Sequence, residues 1–376
     1  MKEYTLIATT TFGLEAVCKR ELIALGFEVV KTENGKVTFK GDAAGIAKAN
    51  LWLRTADRVL LVMGEFKALT FDQLFDQTNA LPWESIIPKN GKFIVNGKSV
   101  KSKLFSISDS QRIVKKSIVE RLKKAYKVDW LEETGADYTV QVSLLKDIAT
   151  ITIDTSGTAL HKRGYRIKSV EAPLKETLAA ALILLSYWNK DRVLYDMFCG
   201  SGTIPIEAAL IGRNIAPGLA RDFASKEWDM IPKEVWKKAQ KEAYQAIDYA
   251  SDIKIYASDI NERNLHIAKG NAIEAGVDDC IEFTVSDFND LEVNDDYGIL
   301  ISNPPYGERL SEQDKVKKLY RKLGKKMIPL KTWSTYYLTS YKEFETAFGK
   351  PSDRKRKLYN GRIETWYYQY YGPRPK

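Results

Sequence analysis

The sequence predicts an α/β protein in which a doubly wound, mostly parallel sheet follows an α+β region. Three observations carry this. From about residue 158 onward, short apolar strands alternate with helices, the order of a parallel sheet built from crossovers. Before that point the strands come in pairs, and the pair after residue 137 alternates apolar and polar residues, which suits a sheet with one wet face. At 376 residues the chain exceeds one ordinary core, so two or three domains are expected. The patterning places them at 1–64, 65–157 and 158–376.

The first unit opens with a strand over Tyr4–Thr9. A helix follows over Gly13–Leu25, with Leu14, Cys18, Leu22 and Leu25 on one face and Gly26 as its stop. Cys18 therefore reads as core. Phe27–Lys31 and Lys36–Lys40 form a strand pair, and Asn34-Gly35 between them is a type I′ hairpin signal. In the second unit Ser108–Tyr126 is an amphipathic helix with Val114, Ile118, Leu122 and Ala125 on its apolar face. Tyr138–Leu144 and Ile148–Asp154 are strands joined through Lys146-Asp147. In the third unit strands are expected at Arg192–Asp196, Ile253–Ser258, Ile281–Val285, Gly298–Ser302, Thr335–Leu338 and Glu364–Tyr370. Helices fall at Thr203–Leu210, Glu262–Ala275 and Leu319–Met327. Trp366-Tyr367-Tyr368 reads as edge-strand packing, and the basic run Arg354-Lys355-Arg356-Lys357 as either a contact for RNA or a solvated loop.

Composition narrows the function. Hydrophobic residues make up 44%, enough for packed cores. No run of about 18 apolar residues suggests a membrane span, and the N-terminus lacks a signal-peptide core. Cys18, Cys199 and Cys280 are too scattered for a disulfide framework or a clustered metal site, and a reducing, cytoplasmic setting is expected. With only His161 and His266, a histidine-rich metal centre or a Ser-His-Asp triad is disfavoured. The net charge of +9 is uneven: Lys98–Lys127 holds ten Lys/Arg against two Asp/Glu. Such concentration favours a polyanionic partner.

Three motifs carry chemistry. In Val193–Thr203 a strand ends in Asp196 and a turn with Gly200 and Gly202 enters a helix, letting backbone approach a ligand. Pro205 breaks the G-x-G-x-x-G fingerprint and no P-loop is present, so the turn suits a ligand without a pyrophosphate. Asp259 ends the next strand and is placed to take ribose hydroxyls. It lies 57 residues past Gly202 instead of about 20, which implies an insertion over Asn214–Ser251. Asp287 ends the strand after that, where it could meet an adenine amine. The sharpest motif is Asn303-Pro304-Pro305-Tyr306 after the strand Ile299–Ser302. An exocyclic base amine is a weak nucleophile because its lone pair is delocalised into the ring. The Asn303 side-chain oxygen and the Pro304 carbonyl can accept its two protons, the paired prolines stiffen the loop, and Tyr306 offers a stacking face.

At these residues the chain resembles the class I S-adenosylmethionine-dependent methyltransferases that modify base amines. Asn303–Leu310, Leu160–Arg166 and Ala172–Ala180 are similar to bacterial THUMP-domain RNA methyltransferases, in particular the 23S rRNA guanine-N2 enzymes. Chains of this kind are often labelled adenine-specific DNA methylases, because Asn-Pro-Pro-Tyr is shared. The resemblance spans essentially the whole chain. It implies a ferredoxin-like subdomain over 1–64, a THUMP RNA-binding domain over 65–157 and a Rossmann-like methyltransferase domain over 158–376. It implies S-adenosylmethionine as cofactor, with Asp196, Gly200, Gly202 and Thr203 on the methionine side. Asp259 would hold the ribose, Asp287 and Phe288 the adenine, and Pro173, Leu174 and Thr177 would close the pocket, with Phe198, Ile260 and Asn303 also among the cofactor-binding residues. Asn303, Pro304, Pro305 and Tyr306 would be catalytic, with no metal. Lys98, Lys101, Lys103, Lys115, Lys116, Lys123, Lys124, Arg163 and Arg166 would meet RNA, with rRNA favoured over tRNA. The expected reaction is methylation of guanine N2 in structured RNA. The alternatives are adenine-N6 methylation of RNA or DNA, a tRNA guanine-N2 activity, and a non-enzymatic RNA-binding assembly factor.

Overall fold

The computed structural model describes residues 2–167, 173–290, 292–293, 295–307 and 313–375. In chain order its N-terminal part contains β1 (Tyr4–Thr10), α1 (Glu15–Ala24), β2 (Val29–Glu33), β3 (Lys36–Gly41), α2 (Ala43–Trp52), β4 (Ala56–Lys67), α3 (Phe71–Asn79), β5 (Lys92–Val100), α4 (Ile107–Tyr126), β6 (Asp137–Leu145) and β7 (Ile148–Asp154). These strands form one sheet in the order β2-β3-β1-β4-β7-β6-β5. The 64/65 boundary expected from sequence falls inside β4, a twelve-residue strand that pairs with β1 on one side and β7 on the other. The two N-terminal units therefore share a continuous sheet. Helix α4 forms as its pattern dictates: Val114, Ile118 and Leu122 are buried, Ser106 caps its first turn by accepting from the Asp109 amide, and Lys127 ends it in the left-handed region.

The C-terminal part contains α5 (Glu176–Leu184), β8 (Leu194–Asp196), α6 (Thr203–Gly212), α7 (Lys233–Gln245), β9 (Ile255–Asp259), α8 (Glu262–Glu274), β10 (Ile281–Val285), β11 (Ile299–Ser302), α9 (Gln313–Met327), β12 (Ser334–Thr339), α10 (Phe344–Phe348), β13 (Arg354–Asn360) and β14 (Ile363–Tyr370). Its sheet runs β10-β9-β8-β11-β12-β14-β13, parallel except for β14. The order reverses between β8 and β11, the place where open α/β sheets bind ligands. The strands β11 and β12 are buried along their whole length, as a central parallel strand must be.

The expected insertion after α6 contains α7 and turns toward the N-terminal sheet. Trp228 stacks on Tyr138 at 4.8 Å and its indole N–H donates to the Asp137 carbonyl, while α7 packs against α2. The insertion is thus a strap between the two parts. Two local readings need correction. The basic run 354–357 is an ordered strand, β13, at the sheet edge rather than a loop. Trp366-Tyr367-Tyr368 packs as expected, but in β14, which lies inside the sheet between β12 and β13.

Candidate active site

At the switch point the strand ends surround a cleft of about 800 Å³, within the size range usual for cofactor sites. Its floor is the turn after β8. Gly200 (φ 54°) and Gly202 (φ 82°) take left-handed conformations that only glycine adopts freely. A Cβ on Gly202 would sit 3.0 Å from the Ala268 Cβ. The Gly200 amide donates to Asp259 Oδ2 at 3.0 Å, and the Cys199 amide to the Ser258 carbonyl. The two strand ends are thereby sewn together. Asp259 Oδ1 accepts from the Asn261 amide and the Asn264 side chain. Asp287 Oδ1 accepts twice from Asn289, and its Oδ2 accepts from no described residue.

Asp196 is 2% exposed beneath this floor. Its Oδ1 accepts from Ser302 Oγ at 2.8 Å and from the Phe198 amide at 3.1 Å. Burial raises its carboxyl to about 7, with Asp259 pushing the same way and the two donors opposing. Phe198 and Phe288 face each other at 5.3 Å, while Ile260 is 70% exposed at the cleft wall. An apolar side chain left open beside two carboxylates and a glycine turn fits a nucleoside-bearing cofactor, whose flat base would cover it.

The loop after β11 closes one end. Pro304 is buried, Pro305 exposed, and Asn303 and Tyr306 half-buried. The Tyr306 hydroxyl donates to Asn303 Oδ1 at 2.5 Å. Behind the loop, the buried Tyr320 of α9 donates to the Pro305 carbonyl at 2.6 Å and shares a hydrogen bond with Thr339. The second prolyl carbonyl is thus tied back, leaving the Pro304 carbonyl outside that contact.

Most expected residues meet in the cleft: Pro173, Leu174, Asp196, Phe198, Gly200, Thr203, Asp259, Ile260, Asp287, Phe288 and Asn303–Tyr306 line it. Four do not stand where the sequence put them. Thr177 is buried at the domain seam and donates to Asp57. Gly202 lies off the wall and caps α6. Arg163 is 3% exposed, bound to Glu207 and to the carbonyls of Leu160 and Arg54, so it cannot meet RNA. Arg166 is held inside the wall, donating to the Leu174 carbonyl and Thr203 Oγ1 and paired with Glu176. In both arginines a charge that looked available is consumed by a buried acid. Lys98, Lys101, Lys103, Lys115, Lys116 and Lys124 are exposed and Lys123 half-buried. Asn264, Leu319, Asn360 and Ile363 line the cleft without having been signalled by any motif. Glu308–Leu310 and Ala172 lie outside the described residues. No group of metal-binding side chains occurs among the described residues, nor any helix long and apolar enough to cross a membrane.

Comparison with known proteins identifies the family of the chain. Residues 163–369 match the RMKL-like methyltransferase domain, 5–60 the RlmL ferredoxin-like domain and 68–154 the THUMP domain. YpsC of Bacillus subtilis, whose name proposes an RNA methyltransferase, is 55% identical over 99% of this chain and 97% of its own. Ribosomal RNA large subunit methyltransferase K/L of Syntrophotalea carbinolica is 34% identical over 95% of this chain, which spans only 52% of that relative. The crystal structure of SMU.472 complexed with SAH superposes with a TM-score of 0.95 at 46% identity, covering 100% of both chains. A Listeria monocytogenes crystal structure described as a predicted N6-adenine-specific DNA methylase gives 0.95 at 53% identity, covering 99% of this chain and 97% of that one. The chain belongs to the RMKL-like methyltransferase family, and carries an S-adenosylmethionine-dependent methyltransferase domain behind RlmL ferredoxin-like and THUMP domains.

Proposed function

We propose that the protein methylates the exocyclic N2 of a guanine in structured RNA, with 23S rRNA as the substrate pool. The observation that carries the reading is the Asn303–Tyr306 loop at the end of β11, with two consecutive prolines to stiffen it, opening on the cleft. The cofactor supplies a methyl group already activated on a sulfonium, so the chain's own task is to hold and polarise the amine. Asn303 Oδ1 and the Pro304 carbonyl accept the amine protons, which pushes the nitrogen lone pair toward attack. Tyr306 stacks the flipped base and holds it in line. The exposed lysines of α4, Lys115, Lys116 and Lys124, offer phosphate contacts away from the loop. RNA as substrate is supported by the THUMP module and by relatives named for RNA or ribosomal RNA methylation.

Adenine-N6 methylation is the second reading, favoured by the description of the Listeria structure. Nucleoside mass spectrometry of rRNA and tRNA from cells with and without the gene separates the two. Loss of N2-methylguanosine from rRNA is expected. Loss of N6-methyladenosine alone would replace this reading with the second, and a change confined to tRNA would move the substrate. Asn303→Ala should lower turnover by about 100-fold or more, the scale of a lost transition-state hydrogen-bonding group, with SAH affinity nearly unchanged. Near-normal turnover would remove Asn303 from the chemistry.

A further inference from the structure

The turn between β13 and β14 returns to the cleft. Asn360, the last residue of β13, and Ile363, the first of β14, line it together with Tyr306 and Leu319. In the sheet, β13 stands three places beyond β11. At about 4.8 Å per strand the two backbones lie roughly 14 Å apart across the sheet, and the register carries Asn360 four residues, about 13 Å, farther along than the level of Asn303. Both still line the same cleft, so a nucleotide would lie between them.

The chemistry of the tip suits such a guest. Asn360 pairs with Ile363 and leaves a two-residue turn, Gly361-Arg362. Gly361 has φ 62°, and a Cβ there would meet nothing within 4 Å. The glycine is therefore demanded by the turn, of the kind with glycine first, and not by crowding. Arg362 is exposed and enters no hydrogen bond or ion pair among the described residues, whereas its neighbours Lys355 and Lys357 pair with Glu345 and Glu364. The Asn360 amide, half-buried at the cleft wall, likewise has no side-chain hydrogen bond among the described residues. The hairpin is braced from the N-terminal part: Phe12 meets the Tyr359 ring edge-on at 6.0 Å, and a Cβ on Gly13 would lie 2.8 Å from the Lys357 carbonyl.

We infer that this hairpin tip is the base-reading wall of the active site. Asn360 hydrogen-bonds the purine edge remote from the amine that is methylated, and Arg362 pairs with a phosphate of the flipped nucleotide or its neighbour. On guanine that edge presents the N7 and O6 acceptors, and the Asn360 side-chain NH2 can donate to either of them. A half-buried amide left unpaired by a wrong base is also a means of rejecting it. Arginine's planar fork suits a phosphate oxygen pair. Ile363 supplies apolar wall beside them. The inference rests on reading the cleft as a nucleobase methyltransferase site, and it adds residues that the Asn-Pro-Pro-Tyr motif does not contain.

The test uses the full chain, labelled S-adenosylmethionine and rRNA from cells lacking the gene. Asn360→Ala, Arg362→Ala and Asn303→Ala are compared with the unsubstituted protein in kcat, KM for RNA, SAH affinity and melting temperature. Asn360→Ala should lower kcat/KM about tenfold, the discrimination carried by one good base contact, with SAH affinity and melting temperature unchanged. Asn360→Ser, which keeps a short polar group, should recover part of the loss. Arg362→Ala should raise KM with kcat intact and reduce the slope of log affinity against log salt by about one phosphate contact. If both hairpin variants keep wild-type kcat/KM and salt slope while Asn303→Ala is inactive, the tip does not read the base. If the unsubstituted protein transfers no methyl to any base, the nucleobase reading and this inference fall together.

Discussion

The carboxyl of Asp196 holds a proton near neutrality because it is almost wholly removed from water. The sulfonium and ammonium of S-adenosylmethionine would favour the ionised form, so its binding would drive that proton off. S-adenosylmethionine affinity should therefore strengthen as pH rises toward about 7 and level off above it, by up to about tenfold per unit on the acid side. Asp196→Asn should flatten that profile in calorimetric titrations. The sign for stability is opposite. The folded-state value lies above the ordinary carboxylate value, so the contribution of this group is complete at acid pH and is lost as pH rises through about 7. At the loop, the Tyr306 hydroxyl donates to the Asn303 oxygen to which the proposed reaction assigns the substrate amine. Tyr306→Phe keeps the ring and frees the oxygen, so kcat should change by less than about threefold while KM for RNA falls or holds. Tyr306→Ala should lose the stacking surface, about 1–3 kcal/mol in kcat/KM. A collapse of turnover in the Phe variant would mean that the hydroxyl itself takes part in the reaction. The identities of Asp196, Asn303 and Tyr306 were legible in sequence, because strand-end acids and a proline-stiffened loop leave a local signature. The proton on Asp196 and the hydroxyl on Asn303 were not, since both depend on what surrounds them.

Helix α9 supports the loop from behind, and its placement depends on one glycine. A Cβ at Gly324 would fall 1.8 Å from the Phe348 carbonyl of α10, so the two helices touch backbone to backbone. Gly324→Ala must push α9 away, and with it Tyr320, whose hydroxyl holds the Pro305 carbonyl. Turnover should fall about tenfold or more with SAH affinity little changed, and Tyr320→Phe should reproduce part of that loss, because it frees the Pro305 carbonyl from its tether. Equal turnover in both variants would show that the loop needs no such support. The periodicity of α9 was readable only from Leu319 onward, whereas among the described residues the helix covers Gln313–Met327. Turn chemistry also misled. Asn34-Gly35 signalled a type I′ hairpin, yet only Gly35 has positive φ (75°), with Glu15 accepting from its amide. Lys146-Asp147, a weaker signal, takes positive φ at both residues, 50° and 65°. There Asp147 Oδ1 accepts from the Lys103 amide, a tertiary contact that overrides local preference.

Across the whole molecule, the N-terminal part and the methyltransferase domain meet through buried polar groups as well as the α7 strap. Arg163, Tyr165 and Glu207 form one cluster that reaches the Arg54 carbonyl, and the Arg54 guanidinium donates to the Ile215 carbonyl. Removing one partner strands a buried charge, so Arg163→Ala should destabilise the fold by about 3–5 kcal/mol. Its melting temperature should drop by several degrees. An unchanged melting temperature with weakened RNA binding would restore the RNA-contact role expected from sequence. The sequence by itself determined the class of the fold, the strands of the C-terminal sheet other than β13 together with helices α6, α8 and part of α9, and the residues of the glycine turn, the strand-end acids and the Asn-Pro-Pro-Tyr loop. All of these rest on interactions among near neighbours in the chain. Only the tertiary structure decided that the two N-terminal units share a sheet, that Arg163 and Thr177 belong to the interior while Arg166 is half-buried against Glu176, and that a hairpin more than fifty residues past Asn303 supplies a cleft wall. Which basic residue finds an acid and which strand end faces the cleft are set by pairings between distant segments, and those pairings leave no local pattern in the sequence.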